Sequence, residues 1–230
     1  KDIKKRKDSP EYIKSEKNIK LGIFHDSSFG FYYHDDIENF IKYGAEIIYI
    51  DAIKDNKLPS VDALFIGGGF PETNAAKLEK NKTLKKEIKK FIDEGNPCYA
   101  ECGGLMYLTE NIYYKNKKFK MVGIIPGYAN MSKKPVGRGY VKLKVNANHP
   151  WKIKNNKLLN AHEFHHANLI FNNVKKYKYA YDVKRGYGSD GEHDGYIYKN
   201  LLANFSHLRH TKKYPWIKYF MNFIEEKKND

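Results

Sequence analysis

Tyr99-Ala100-Glu101-Cys102-Gly103-Gly104-Leu105-Met106 joins an extended apolar run to a helix-compatible run, and a cysteine stands at the junction. Two glycines follow it at once, so the chain can turn sharply and leave the thiol beside free backbone N–H groups. This is the logic of a nucleophile elbow, in which a tight strand-to-helix turn presents a reactive atom. A thiolate at the start of a helix is also stabilised by the local positive potential. The stretch predicts acyl chemistry on Cys102.

Working upstream, strands and helices alternate. Leu21-Gly22-Ile23-Phe24 predicts a strand that ends at His25-Asp26, and Ile37, Phe40, Ile41 and Tyr43 predict a helix closed by Gly44. Ile47–Ile50 and Ala63–Ile66 read as two further strands, the second running into Gly67-Gly68-Gly69. Leu84, Ile88, Phe91 and Ile92 form a helical stripe stopped by Gly95 and Pro97, and Cys98-Tyr99-Ala100 is a fourth strand. Such alternation implies a mostly parallel sheet covered on both faces, with its ligand crevice off the carboxyl ends of the strands. The triple glycine and Cys102 both fall at such ends. Downstream, Tyr140–Val145, Gly195–Tyr198 and Leu201–Phe205 read as strands, and Trp216, Ile217, Phe220, Met221 and Ile224 predict a closing amphipathic helix.

Composition narrows the classes. A chain of 230 residues with 19 Tyr and 13 Phe can bury a sizeable core. It carries no apolar run near 18 residues and no apolar segment at its start, so no membrane partner is expected. Cys98 and Cys102, four positions apart, make no disulfide framework, and a reducing, cytoplasmic location is expected. The net charge of +15 comes from lysines spread along the chain, with only Arg6, Arg138, Arg185 and Arg209 as arginines. Phosphate-reading surfaces cluster their basic residues and use arginine forks, so nucleic acid is not an expected partner. Residues 1–18 read as a charged linker or tail, and 19–230 as the folded domain.

Gly67-Gly68-Gly69-Phe70-Pro71-Glu72 follows a strand, where glycines let backbone N–H groups approach an oxyanion; a plain turn is the alternative. The chain contains no Gly-Lys dipeptide, so the loop is no Walker motif. Cys102 needs a base, since a free thiol is mostly protonated at neutral pH. His25, His34, His149 and His193 sit in polar or turn-like segments and are expected to be solvated. His207 follows the strand-like Leu202–Ser206 and could reach Cys102 from a neighbouring strand, or be a satisfied histidine at a strand end. His162-Glu163-Phe164-His165-His166 spells H-E-x-x-H, a zinc motif only on a helix, which Leu158, Leu159 and Ala161 make conceivable. On a strand, His162 and His166 would share one face, and Glu163 and His165 the other. No third ligand stands out, and no metal site is expected.

In their order and spacing, several blocks resemble the glutamine amidotransferase domain of the cobyrinic acid a,c-diamide synthases. They are Phe29–Tyr33, Gly67–Glu72, Ala100–Leu108, Gly137–Tyr140, His162–His165, Arg185–Gly188 and Leu202–Leu208, spread over about residues 20–225. The resemblance implies a class I glutamine amidotransferase-like, flavodoxin-like three-layer α/β sandwich. It implies that Cys102 attacks the side-chain amide of glutamine through a γ-glutamyl thioester, with His207 as base and then acid. Backbone N–H groups around Gly68, Gly69 and Gly103 would hold the oxyanion.

Two departures stand out. Many class I amidotransferases place a glutamate two residues after the histidine; here that position is Arg209, and Glu163 or another acceptor would have to orient His207. The family also carries an ATP-dependent synthetase domain, which is expected outside these 230 residues. The resemblance therefore implies no cofactor bound here, ATP and Mg on that domain or subunit, and ammonia passed to it through a shielded route. The tetrapyrrole substrate would meet both parts at their interface, as a corrinoid precursor or as nickel-sirohydrochlorin on the way to the methanogen nickel cofactor. Arg209 leaves open a catalytically silent interaction module, and the elbow leaves open a cysteine hydrolase of related fold.

Overall fold

The computed structural model describes residues 18–172 and 177–229. The expected linker over 1–18 lies outside the described residues, Asn18 excepted. In chain order the elements are β1 (Ile19–Phe24), β2 (Phe29–Phe31), α1 (His34–Lys42), β3 (Ala45–Ile50), β4 (Ala63–Ile66), β5 (Gly68–Gly69), α2 (Ala75–Lys80), α3 (Lys82–Asp93), β6 (Cys98–Glu101) and α4 (Gly103–Leu108). The second half adds β7 (Thr109–Tyr114), β8 (Lys117–Lys120), β9 (Ile125–Met131), β10 (Gly137–Val145), β11 (Leu158–His165), β12 (Ala167–Phe171), β13 (Lys178–Arg185), β14 (His193–Tyr198), β15 (Leu201–Asn204) and α5 (Trp216–Asn229).

A nine-stranded sheet runs in the order β11-β10-β13-β14-β15-β6-β4-β1-β3. Its core, β15-β6-β4-β1-β3, is parallel as the strand–helix alternation predicts. The extension from β15 out to β11 is antiparallel. The central strands are buried on both faces, so their side chains alternate between two cores. Along β4, Ala63 and Phe65 join one core and Leu64 and Ile66 the other; along β6, Tyr99 points one way and Cys98 and Ala100 the other.

One face is closed by α1 and α5. The apolar stripe of α5 packs Trp216, Phe220 and Ile224 at zero exposure, with Trp216 5.0 Å from Tyr99 between ring centres. Each such fully buried side chain contributes about 1.5–3 kcal/mol by its removal from water. The opposite face is closed by α2, α3 and α4 and by a second, four-stranded sheet, β12-β9-β7-β8. That second sheet is an addition to what the sequence pattern predicts. Its edge strand β8 reads Lys-Lys-Phe-Lys and is mostly exposed, a composition that protects an edge and also hides it from hydrophobic-pattern reading. Among the described residues no helix is long and apolar enough to cross a membrane.

Of the two alternatives for the H-E-x-x-H segment the strand holds: His162 to His165 finish β11, with Glu163 and His165 buried on one face and Phe164 exposed on the other. One expectation is corrected. His149 is not solvated. Its Nε2 lies 2.8 Å from the Tyr181 hydroxyl, its Nδ1 accepts from Trp151 N at 3.1 Å, and burial pushes its pKa down to about 3. It is a structural histidine.

Candidate active site

Cys102 has φ 48° and ψ −102°, a conformation costly for a residue with a Cβ. Hydrogen bonds on each side of the turn enforce it. Cys102 N donates to Asn204 O of β15 at 2.7 Å, Gly104 N donates to Gly67 O at 3.1 Å, and Met106 N closes the first helical turn on Cys102 O. Gly104 admits no side chain, since a Cβ there would lie 2.0 Å from Ile66 O. The elbow predicted from sequence is thus a turn stapled to the glycine loop on one side and to β15 on the other.

Three residues beyond Asn204, the backbone delivers His207. Here the segment is held by Asp194, which is fully buried. Its carboxylate accepts from Gly195 N, Ser189 Oγ and Phe205 N through one oxygen and from Ser206 N through the other, all within 3.0 Å. His207 and His162 exchange backbone hydrogen bonds of 2.7 and 3.3 Å, and their rings stack 4.9 Å apart at 14°. Burial and the neighbouring His207 push the His162 pKa down, and its Nδ1 meets the Tyr33 hydroxyl at 3.1 Å.

The structure therefore brings Cys102 and His207 together, near enough for each to bear on the other's charge. Burial disfavours the His207 cation, but hydrogen bonds with Cys102 and Glu101 outweigh it and push the imidazole pKa up to about 10. Gly68 lies directly against the same ring: a Cβ there would sit 2.5 Å from His207 Cε1. Gly69 and Gly103 are in contact, and Gly69 lines a cavity of about 290 Å³ with Cys102, Glu72, Met106, Ser132 and His166. Burial pushes the Glu72 carboxyl up. Phe164 separates this cavity from a second of similar size lined by His207, His162, Tyr33 and Phe31. The Phe164 carbonyl lies 3.8 Å from Cys102 Sγ.

Glu163 does not orient His207. Its carboxylate accepts from Tyr187 N and Gly188 N, both at 2.8 Å, and lies 3.8 Å from His165 Nε2. The carboxylate beside His207 is Glu101, whose Oε2 is 3.3 Å from His207 Nδ1. Sequence reading quoted Glu101 in the elbow but gave it no role. The available signal was its place on β6 two residues after Tyr99, on the same face of the strand. Arg209 points outward, 3.0 Å from Asp35 and over the Tyr33 ring. Cys98 is fully buried among apolar side chains, and burial pushes its thiol up. Among the described residues no group of three or more His, Cys, Asp or Glu side chains is placed to hold a metal ion.

Chemically, the arrangement offers a thiol beside a basic imidazole, with the thiol and glycine backbone on a cavity sized for a small amino acid. Comparison with known proteins agrees. Residues 20–215 match the model of the CobB/CobQ-like glutamine amidotransferase domain. The cobyrinate a,c-diamide synthase of Archaeoglobus fulgidus is 41% identical over 194 residues, covering 84% of this chain and 41% of that protein. That of Methanosphaera stadtmanae is 35% identical over 212 residues, covering 92% and 45%. The chain thus spans less than half the length of these curated relatives.

Among solved structures, PurLQS from Thermotoga maritima superposes with a TM-score of 0.66 at 15% identity, over 92% of this chain and 99% of that one. A glutamine amidotransferase from the same organism gives 0.58 at 14%, over 93% and 87%. These establish the class I amidotransferase fold. The sequence matches establish more: the chain belongs to the CobB/CobQ-like glutamine amidotransferase domain family.

Proposed function

We propose that this chain is the glutaminase part of an ATP-dependent a,c-diamide synthase, and that Cys102 and His207 carry the reaction. The observation that carries the reading is that the fold brings an elbow cysteine, a late histidine and the glycine loop together, with Cys102 and Gly69 on one cavity and His207 on a second that shares Phe164 with it. His207 takes the thiol proton, and the thiolate attacks Cδ of the glutamine side chain. The C–N bond of the tetrahedral adduct breaks as the imidazolium gives its proton to the departing nitrogen, releasing ammonia and leaving a γ-glutamyl thioester. Water, deprotonated by His207, then cleaves the thioester to glutamate and restores the thiol.

Backbone N–H groups of Gly69 and Gly103, with Gly68 shaping the loop, hold the oxyanion, each donor contributing about 3 kcal/mol at the transition state. Glu72 is placed to receive the substrate ammonium, which would offset the burial of its carboxylate. ATP and Mg belong on the synthetase part, whose tetrapyrrole acetates receive the ammonia; names of relatives support the corrinoid as substrate. The silent-module reading rested on Arg209 and on the synthetase domain expected outside these residues, and the carboxylate at Glu101 speaks against the first of these motives.

A diazo-ketone analogue of glutamine, given to the protein together with its synthetase part, is expected to alkylate Cys102 stoichiometrically and to stop ammonia release. Mass spectrometry locates the adduct. Label absent from Cys102 would overturn the assignment, and amide cleavage indifferent to glutamine would favour a hydrolase. Gly68→Ala tests the loop: its methyl must displace the His207 ring, and a shift near 1 Å costs about a hundred-fold in rate. The expected outcome is that loss in glutaminase kcat with a nearly unchanged melting temperature.

A further inference from the structure

The geometry points to Glu101, the residue immediately before the nucleophile, as the positioning carboxylate of His207, replacing the acid that other class I amidotransferases place after the histidine. The inference rests on the glutaminase reading of Cys102 and His207 and assigns what holds the base. Glu101 is almost wholly buried and its two oxygens have separate tasks. Oε1 accepts from the Tyr99 hydroxyl at 2.5 Å and from Leu208 N at 2.8 Å. Oε2 is left facing His207 Nδ1 at 3.3 Å.

The Tyr99 hydroxyl in turn accepts from Asn204 Nδ2 at 2.9 Å, so the carboxylate is fixed by the strand that delivers the histidine. A carboxylate on Nδ1 keeps the proton there while the base is neutral, leaving Nε2 to take the thiol proton, and it stabilises the imidazolium once formed. Arg209, at the usual acid position, is exposed and paired with Asp35, so it does not compete.

The titratable groups facing His207 are Cys102 and Glu101 from the elbow, and His162 with its partner Tyr33 from the other side; the glycine loop brings none. Of these, only Glu101 is a carboxylate. A merely structural role would use Oε1 alone, through Tyr99 and Leu208. Glu101→Gln separates the two, because its carbonyl oxygen can still accept both hydrogen bonds while an amide N–H₂ faces Nδ1. That group forces Nδ1 to accept, placing the ring proton on Nε2 against the thiol.

In the complete protein with its synthetase part, Glu101→Gln is expected to lower glutaminase kcat by about a hundred- to ten-thousand-fold, with KM within about threefold. The pH midpoint for alkylation of Cys102 by iodoacetamide should rise by about one unit or more. Glu101→Asp, which keeps the charge, should retain the wild-type midpoint even if turnover slows, and it serves as the second variant if the glutamine form does not fold. Wild-type midpoint and turnover in a folded Glu101→Gln protein would overturn the proposal. A wild-type protein that releases no ammonia from glutamine, yet shows the midpoint shift, would support the positioning role and sink the glutaminase reading.

Discussion

Replacing Cys102 with serine is expected to lower glutamine hydrolysis by about ten-thousand-fold or more, because the covalent path through the thiol is lost. Cys98, the other thiol, is fully buried at the opposite end of β6 and cannot substitute. The hydroxyl of serine is close to isosteric, so the turn at φ 48° and its hydrogen bonds to Asn204 and Gly67 should survive. Thermal melting should therefore be little changed. In the full synthase, amidation driven by added ammonium salt should persist while glutamine-driven amidation disappears. That split is the diagnostic readout, measured by coupled assay of glutamate and of amidated product. Glutamine turnover within tenfold of wild type would refute a nucleophilic role for Cys102.

Asp194→Ala is expected to produce the largest loss of stability of any single polar substitution near the site. Four donors converge on this carboxylate, and two of them, Phe205 N and Ser206 N, belong to the buried segment that leads into His207. Removing the acceptor strands those N–H groups away from water, and breaking a buried charged cluster of this kind costs about 3–5 kcal/mol. For a chain of this size that corresponds to a drop in melting temperature of roughly 10 °C or more. Asp194→Asn keeps one carbonyl acceptor and should lose about half as much. Thermal denaturation reads the first effect. The second is loss of glutaminase activity well below the melting transition, as Ser206 and His207 relax. Unchanged melting in the alanine variant would contradict the anchoring role.

The parallel core was legible because its strands are short apolar runs separated by helices with clear stops, Gly44 and Gly95 among them. The placement of Cys102 and His207 was legible for a related reason, since both follow such runs at carboxyl ends. The second, four-stranded sheet was not. Strands such as Lys117–Lys120 and Thr109–Tyr114 mix lysine, asparagine and tyrosine, and their pairing is decided by tertiary contacts rather than alternation. Glu101 and Asp194 were missed because their roles lie between segments: Glu101 meets Leu208 across 107 residues, and Asp194 meets Ser206 through the fold of β14 onto β15. Besides the place of Glu101 on β6, Arg209 carried a hint. An arginine at the usual acid position implied that any orienting carboxylate comes from elsewhere, without saying where.

Cys102 and His207 follow neighbouring parallel strands, with Asn204 registered against Glu101 and Cys102 N bonded to Asn204 O. Strand register then works as a ruler for the chemistry. Slipping β15 by one residue would move the histidine segment about 3.3 Å along the sheet and turn its side chains to the opposite face. The spacing of the reacting pair is therefore set by main-chain geometry common to any sequence that keeps this pairing. Side chains in both cores can be exchanged for others of similar volume without recalibrating it.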